Sequence, residues 1–213
     1  MGDRFDRLSV RHRNVESLLR RPGIGHNNGP TFDMSWGAWV WRRAAAKAWK
    51  TPSPEVVKIR VKRAERLGLT YKELTSALMN TGSNLGAAVM PLSLAARVRR
   101  GPKGEIIVEP RNSVAALVAK FGGRLFLLGD IDAVPGLTEA ERAEFLAVVN
   151  HAFDGKVEAI GWGHDGNSIR AMLKSNAVPH QEAFLVGAGM GHQVLGEGAG
   201  LPFTKDIDSW FNQ

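Results

Sequence analysis

The sequence contains no cysteine. This absence excludes a disulfide framework, catalysis by a thiolate, and a zinc site built on cysteine. No apolar run approaches the roughly 18 residues that would span a bilayer, and the opening of the sequence lacks the charged, apolar and small-residue segments of a signal peptide. We therefore expect a soluble, cytoplasmic protein without a membrane partner. Its 213 residues allow one large or two small domains.

Acidic residues are scarce in the first half of the chain. Residues 1–111 contain 21 Lys and Arg against 9 Asp and Glu, a net charge of +12, whereas residues 112–213 contain 7 against 12, a net charge of −5. Contacts from Lys and Arg to phosphate supply most of the non-specific affinity for nucleic acids. This asymmetry predicts that the first half binds a polyanion and that the second half has another task. An ordinary solvated basic surface is the alternative.

The stretch from Arg60 to Ala77 has the pattern of two short helices joined at a glycine. Gly68 can adopt a positive φ without a Cβ penalty, and Thr70-x-x-Glu73 is a capping box that opens the second helix. Apolar residues that would clamp the two helices together fall at the spacing of a helix-turn-helix: Ala64, Leu67, Leu69, Leu74 and Ala77. The pattern predicts either a DNA-binding helix-turn-helix or a plain αα-hairpin, and Arg63 occupies a position that is usually apolar in the former.

Cationic and polar residues surround this predicted motif. Those on the first helix are spaced to meet a backbone phosphate, and those near the start of the second can reach base edges or phosphates. The predicted contacts are Lys58, Arg60, Lys62, Arg63, Arg66, Tyr71, Lys72, Thr75 and Ser76. A β-hairpin with a Gly-Pro-Lys-Gly turn is predicted over residues 96–108. As a wing it would add Arg97, Arg99, Arg100 and Lys103, although residues 91–104 could instead form an interdomain linker.

The segment before the motif is basic and rich in tryptophan. Residues 1–34 are predicted to be a flexible basic segment, and residues 35–50 a helix whose four tryptophans pack as the first helix of a DNA-binding bundle or stack on bases. The octet GIGHNNGP, followed by EVVKIRVKRAERLGLTYKEL, resembles uncharacterised basic proteins carried by alphaproteobacteria and their phages and plasmids. The resemblance covers about residues 23–85 and implies a bacterial or mobile-element origin without an assigned activity.

From about residue 105, short apolar runs alternate with helical patterns. The predicted strands are 106–108, 125–128, 157–160 and 183–186, and the helices are 113–121, 139–153, 168–175 and 192–198. This alternation predicts a small parallel sheet, and residues 85–90 before it are predicted to form one or two helical turns. The expected fold is α/β in two parts, a helix-turn-helix domain over residues 35–104 and a Rossmann-like α/β sandwich over residues 105–213.

Two loops of the second part contain suggestive residues. Asp130-Ile-Asp132 follows an apolar predicted strand and resembles the first motif of haloacid-dehalogenase-like phosphatases. The resemblance implies Asp130 as nucleophile, Asp132 as general acid and magnesium as cofactor, with Lys174 in the place of the family's lysine. Residues 184–202 resemble the family's last motif and its following helix. Ala188 and His192 stand where the family has metal-binding acids, so a catalytically inactive relative is expected rather than an active phosphatase.

Glycines after the last predicted strand form a second candidate site. Gly187, Gly189 and Gly191 could present backbone amides to an anion near a helix N-terminus, although GxGxG is a weak signal.

The preferred function is a DNA-binding transcriptional or mobile-element regulator, without a cofactor, whose α/β half senses, dimerises or docks a partner. The sequence does not reveal the oligomeric state, and a homodimer is one assembly that it allows. The alternatives are a magnesium-dependent phosphohydrolase and an interaction module for RNA or an acidic protein.

Overall fold

A computed structural model describes residues 52–129 and 138–211 of the chain. The predicted N-terminal segment and tryptophan-rich helix, together with Asp130 and Asp132, lie outside these ranges. The helices are α1 (Pro54–Leu67), α2 (Tyr71–Thr81), α3 (Leu92–Ala95), α4 (Asn112–Lys120), α5 (Glu139–Ala152), α6 (Gly166–Ser175) and α7 (Gly189–Gly198). The strands are β1 (Ala87–Pro91), β2 (Ala96–Arg100), β3 (Ile106–Pro110), β4 (Arg124–Gly129), β5 (Val157–Trp162), β6 (Ala183–Gly187) and β7 (Thr204–Asp206). Within these ranges no helix is long and apolar enough to cross a membrane.

Five parallel strands form the central sheet, in the order β5-β4-β1-β6-β7. The middle strand is β1, and all five of its residues are buried. Our prediction of helical turns over residues 85–90 is therefore wrong. A strand that is covered on both faces needs no polar alternation, so its short apolar run resembles a buried helical segment. The predicted start of the α/β part near residue 105 also comes too late, because β1 precedes it.

Side chains of successive strand residues alternate between two separate cores. On one face, Ala88, Leu127 and Phe184 share a core with residues of α4 and α5. On the other face, Val89 and Phe126 share a core with residues of α6. Helices therefore cover both faces of a parallel sheet, which confirms the expected α/β sandwich.

Helices α1 and α2 form the predicted pair. Gly68 has a φ of 69°, and Thr70 and Glu73 form the reciprocal capping box. All five apolar residues predicted to clamp the helices are buried, in the same core as one face of the sheet. The indole Nε1 of Trp210 donates a hydrogen bond to the carbonyl oxygen of Leu67, at 3.0 Å. The described residues from Pro54 onward form one compact unit, so this helix pair is part of the sandwich rather than a separate domain.

The predicted hairpin is also present. Strands β2 and β3 are antiparallel, with Ala96 opposite Pro110, and Gly104 has a φ of 83° in the turn that joins them. The single turn α3 connects the hairpin to the carboxyl end of β1. The function of this hairpin as a wing stays a prediction.

Candidate functional site

The solvent face of α1 carries a row of three cations. Lys58, Lys62 and Arg66 are exposed and follow one another at intervals of four residues. Residues at this interval are neighbours on one helix face, about 6 Å apart along the axis. On the opposite side, Ala64 and Leu67 are buried in the core. We call the three exposed cations the α1 ladder.

No cation of α1 is neutralised by a carboxylate among the residues that the structure describes. Arg66 donates instead to the carbonyl oxygen of Gly122, at 3.3 Å. Arg63, which is half-buried, donates from Nε to the carbonyl oxygen of Leu85, at 2.9 Å. This bond joins α1 to the segment before β1 and explains an arginine at a usually apolar position. Each pair of like charges four residues apart destabilises a helix by about 0.2–0.5 kcal/mol. The α1 ladder therefore lowers the stability of α1.

Fewer of the predicted contact residues at the start of α2 are accessible than the sequence indicated. Lys72 and Ser76 are exposed and Tyr71 is half-buried. The hydroxyl oxygen of Thr75 is buried. We therefore correct the prediction for Thr75, whose hydroxyl cannot reach a base edge or a phosphate in this conformation.

An ion pair joins the start of α2 to the edge strand β7. Nζ of Lys205 lies 2.8 Å from Oε1 of Glu73, and the Lys205 side chain is only 7% exposed. Burial acts to raise the pKa of Glu73, but hydrogen bonds from Lys205 and Thr70 outweigh it, so this pKa lies below its usual value. The capping box gave no indication of this pair, because Lys205 is 132 residues away in sequence.

Two of the predicted hairpin contacts are already paired with carboxylates. Arg99 forms an ion pair with Glu109, at 2.6 Å, and Arg100 forms one with Glu141 of α5, at 3.1 Å. The hydrogen bond from Arg100, followed by those from Thr138, lowers the pKa of Glu141 to about 2. A polyanion would have to compete with these partners for Arg99 and Arg100. The remaining two predicted contacts on the hairpin, Arg97 and Lys103, are exposed.

The strand order reverses between β1 and β6, and this reversal is the topological switch point of the sheet. Chain connections run from β1 to β4 and β5 on one side, and continue to β6 and β7 on the other. Ligands of such sheets bind beyond the carboxyl ends of the strands at this point. Here β1 ends at Pro91, β6 ends at Gly187, and Gly129 ends the neighbouring strand β4, directly before Asp130.

The resemblance to phosphatases implies magnesium at this point, but the described residues do not fit that ion. No group of three His, Asp or Glu side chains that could hold a metal occurs within residues 52–129 and 138–211. Residues 91–93 and 187–192, which follow the two switch-point strands, contain no carboxylate. We therefore derive no reaction step through magnesium.

Lys174 lies near the amino end of β4. Lys174 is near the end of α6. Two residues later, the carbonyl oxygen of Asn176 accepts a hydrogen bond from Arg124, at 3.1 Å. Arg124 begins β4, whereas Asp130 follows its last residue. Five steps along a strand span about 17 Å, so Lys174 lies about the length of β4 from Gly129. A catalytic role for Lys174 together with Asp130 stays a prediction.

The three glycines of the second candidate site differ in their surroundings. Gly187 is the last residue of β6, and a Cβ there would lie 2.5 Å from the Cβ of His192. Gly189 has a φ of 71°, and Gly191 has no atom near the position of an added Cβ. The amide nitrogen of Ala188 lies 2.9 Å from Nδ1 of His192. The same Nδ1 lies 2.7 Å from the carbonyl oxygen of Ala188, so the ring either accepts from this amide or donates to this carbonyl, according to its tautomer.

The segment between β5 and α6, residues 163–165, ends in a helix cap. Oδ1 of Asp165 accepts hydrogen bonds from the hydroxyl and the backbone amide of Ser168, at 2.6 and 2.8 Å. These hydrogen bonds, led by the one from the hydroxyl, lower the pKa of Asp165. The geometry gives Asp165 a structural role at the start of α6.

Comparison with known proteins gives partial similarities to solved structures. No protein-family profile and no curated protein matches the chain. One similar structure is an uncharacterised protein from Listeria monocytogenes serotype 4b, at 12% identity and a TM-score of 0.35, covering 51% of this chain and 73% of that one. Another is a protein from Streptomyces avermitilis MA-4680, provisionally described as a HAD family hydrolase, at 14% identity and a TM-score of 0.36, covering 57% and 71%. Similarities this weak carry no argument about activity.

Proposed function

We propose that this protein binds duplex DNA through the solvent face of α1. The observation that carries the proposal is the α1 ladder, three exposed cations on one helix face without a carboxylate partner among the described residues. A phosphate backbone would supply the missing countercharge and remove the repulsion within the ladder. Binding without turnover, as in a transcriptional or mobile-element regulator, is the mechanism that this surface supports.

The neighbouring elements suggest how the complex would be arranged. The buried side of α1 packs on the α/β body, so the ladder is held on a rigid support. Lys72 and Ser76 of α2 are exposed and could add contacts to phosphates or base edges. Phosphate contacts position a protein on DNA without reading its sequence, so the α1 ladder is proposed to contribute affinity rather than specificity.

Two charge-matched double variants test the proposal. Lys58→Gln with Lys62→Gln removes two ladder cations, and Lys120→Gln with Lys156→Gln removes two exposed lysines elsewhere. Fluorescence anisotropy with a labelled duplex should be measured across a series of salt concentrations. Each lost phosphate contact lowers the slope of log K against log salt by about 0.9. The ladder variant should therefore lose a slope of about 1.8, and the control variant should keep the wild-type slope.

The salt series also gives a direct contrast in affinity. Between 50 and 200 mM salt, the wild type should lose about tenfold more affinity than the ladder variant, which follows from the slope difference. Equal slopes for the two double variants would refute the role of the α1 ladder. Structured RNA and heparin serve as competitors, and tighter binding of RNA than of duplex DNA would favour the RNA-binding alternative.

A phosphohydrolase remains a second candidate because of where β4 ends. Asp130 follows Gly129 directly, and β4 neighbours the switch-point strand β1. Hydrolysis of p-nitrophenyl phosphate should be measured with and without magnesium, for the wild type and for Asp130→Asn. Activity that disappears in Asp130→Asn would favour this candidate. Absence of activity in the wild type, or equal activity in both proteins, would argue against it.

A further inference from the structure

A pocket lies at the amino edge of the sheet. Its residues belong to α6 and to the segment before β6, far in sequence from the α1 ladder. It lies beside the second half of α6, and its volume is about 470 Å³. This volume is within the range of small-molecule sites. The residues that line it are Arg170, Lys174, Ala177, Val178, Pro179 and His180.

The rim of this pocket is cationic. Arg170 and Lys174 are four residues apart on α6, so they lie on one helix face, and both are exposed. Arg170 donates a hydrogen bond to the amide oxygen of Asn167, at 2.7 Å, and that acceptor is uncharged. His180 adds an imidazole from the turn that precedes β6. None of the lining residues is a carboxylate, so nothing within the pocket wall neutralises the two cations.

The floor of the pocket is apolar. Val178 is only 6% exposed and belongs to the core between the sheet and α6. Pro179 and Ala177 complete the apolar part of the wall, and Ala177 has a φ of 54°, a conformation that a residue with a side chain seldom adopts. Convergent polar groups over an apolar surface are the usual composition of a ligand site.

The groove beside α7 shows the opposite charge. Its volume is about 580 Å³, and its walls include Glu197 and Asp206 together with exposed Met190. Carboxylates on the wall oppose the binding of an anion. The contrast in wall charge therefore favours the amino-edge pocket over this groove as the place for a negatively charged ligand.

We infer that the pocket formed by Arg170, Lys174, Val178, Pro179 and His180 binds a small organic anion, with one acidic group carried on an apolar body. The acidic group would lie between the guanidinium of Arg170 and the ammonium of Lys174. The apolar body would cover Val178 and Pro179. A charge-assisted hydrogen bond is about twice as strong as a neutral one, so the two cations provide the selectivity for an anion.

Isothermal titration calorimetry on the full chain tests this inference with four probes. Phenyl phosphate and benzoate each join an acidic group to an apolar ring, phenol lacks the charge, and inorganic phosphate lacks the ring. At least one of the two ring-bearing anions should bind more tightly than both phenol and inorganic phosphate. Tighter binding of phenyl phosphate would identify the acidic group as a phosphate, and tighter binding of benzoate would identify a carboxylate.

Arg170→Gln with Lys174→Gln is the variant for the same titration. Both positions are exposed, and glutamine is a good helix former, so the fold should be retained. The affinity for the preferred anion should fall at least tenfold. Lys120→Gln with Lys156→Gln removes the same charge at exposed positions outside this pocket and should leave this affinity unchanged.

Three results would overturn the inference. One is the absence of binding by either ring-bearing anion at millimolar concentration. Another is phenol or inorganic phosphate binding as tightly as the best ring-bearing anion, since the site would then not use both charge and apolar floor. The third is an equal loss of affinity in the two double variants, which would show a general charge effect.

Discussion

Neutralising Glu73 tests how much its ion pair with the buried Lys205 contributes to the free energy of unfolding. Glu73→Gln removes the charge but keeps the capping box, because glutamine also serves at this position. Breaking a fully buried ion pair costs about 3–5 kcal/mol. The Glu73 side chain is 32% exposed, so its pair with Lys205 is only partly buried and the cost is smaller. The single amide oxygen of glutamine accepts from the amide of Thr70 in the retained capping box, and Lys205 loses its acceptor. We therefore expect Glu73→Gln to lower the unfolding free energy by about 2 kcal/mol.

Two further variants separate the ion pair from the cap. Glu73→Ala also removes the hydrogen bond that the amide of Thr70 donates to residue 73, and should lose about 1 kcal/mol more than Glu73→Gln. Adding Lys205→Met to Glu73→Gln removes the unpaired buried charge. Replacing a buried ion pair by apolar groups is often close to neutral, so this double variant should lie within about 1 kcal/mol of the wild type.

Urea denaturation and thermal unfolding provide the measurements. For a chain of this size, a loss of 2 kcal/mol lowers the melting temperature by about 4–8 °C. Because the pKa of Glu73 is lowered on folding, its contribution is present above the unfolded-state pKa and is lost as the pH falls through the folded-state pKa. The difference between wild type and Glu73→Gln should therefore shrink in acid. A loss below about 0.5 kcal/mol at neutral pH, or additive effects of the two substitutions, would refute this reasoning.

Two other predictions concern the turn between α1 and α2 and the hairpin. At Gly68 an added Cβ would lie 2.6 Å from Cδ2 of Phe211, so Gly68→Ala should lower the unfolding free energy by about 2–4 kcal/mol, whereas Gly82→Ala, with a similar φ and open space, should lose only about 1 kcal/mol. Equal losses in urea denaturation would contradict the proposed close packing at Gly68. In Arg100→Gln, the pKa of Glu141 should rise from about 2 but stay below 4.5, because Thr138 still donates to it. An NMR titration of the Glu141 carboxyl measures this pKa, and an unchanged value would show that Arg100 is not its partner.

Short-range signals in the sequence predicted the helix pair correctly. The capping box of Thr70 and Glu73, and the glycine at the turn, each act within a few residues of the backbone that they stabilise. Such signals depend on neighbouring residues rather than on distant contacts. They do not reveal what the apolar face of the pair packs against, and here it packs into the core of the sheet.

The features that the sequence did not reveal depend on contacts between residues far apart in the chain. β1 is a strand because it hydrogen-bonds to β4 and β6, which follow it far along the chain. Its apolar run has the same composition as a buried helical turn, so periodicity could not decide between them. For the candidate site, Arg100 was predicted to be available, yet its partner Glu141 lies 41 residues away. Local patterns identified the cations but not which of them are neutralised in the fold.

The hydrogen bond from Trp210 to the carbonyl oxygen of Leu67 joins residues 143 positions apart. On the ribosome, α1 and α2 emerge long before the indole that packs on their turn. A nascent chain therefore cannot form this hydrogen bond until residue 210 has left the exit tunnel. Contacts that close so late slow folding and expose the intermediate to aggregation.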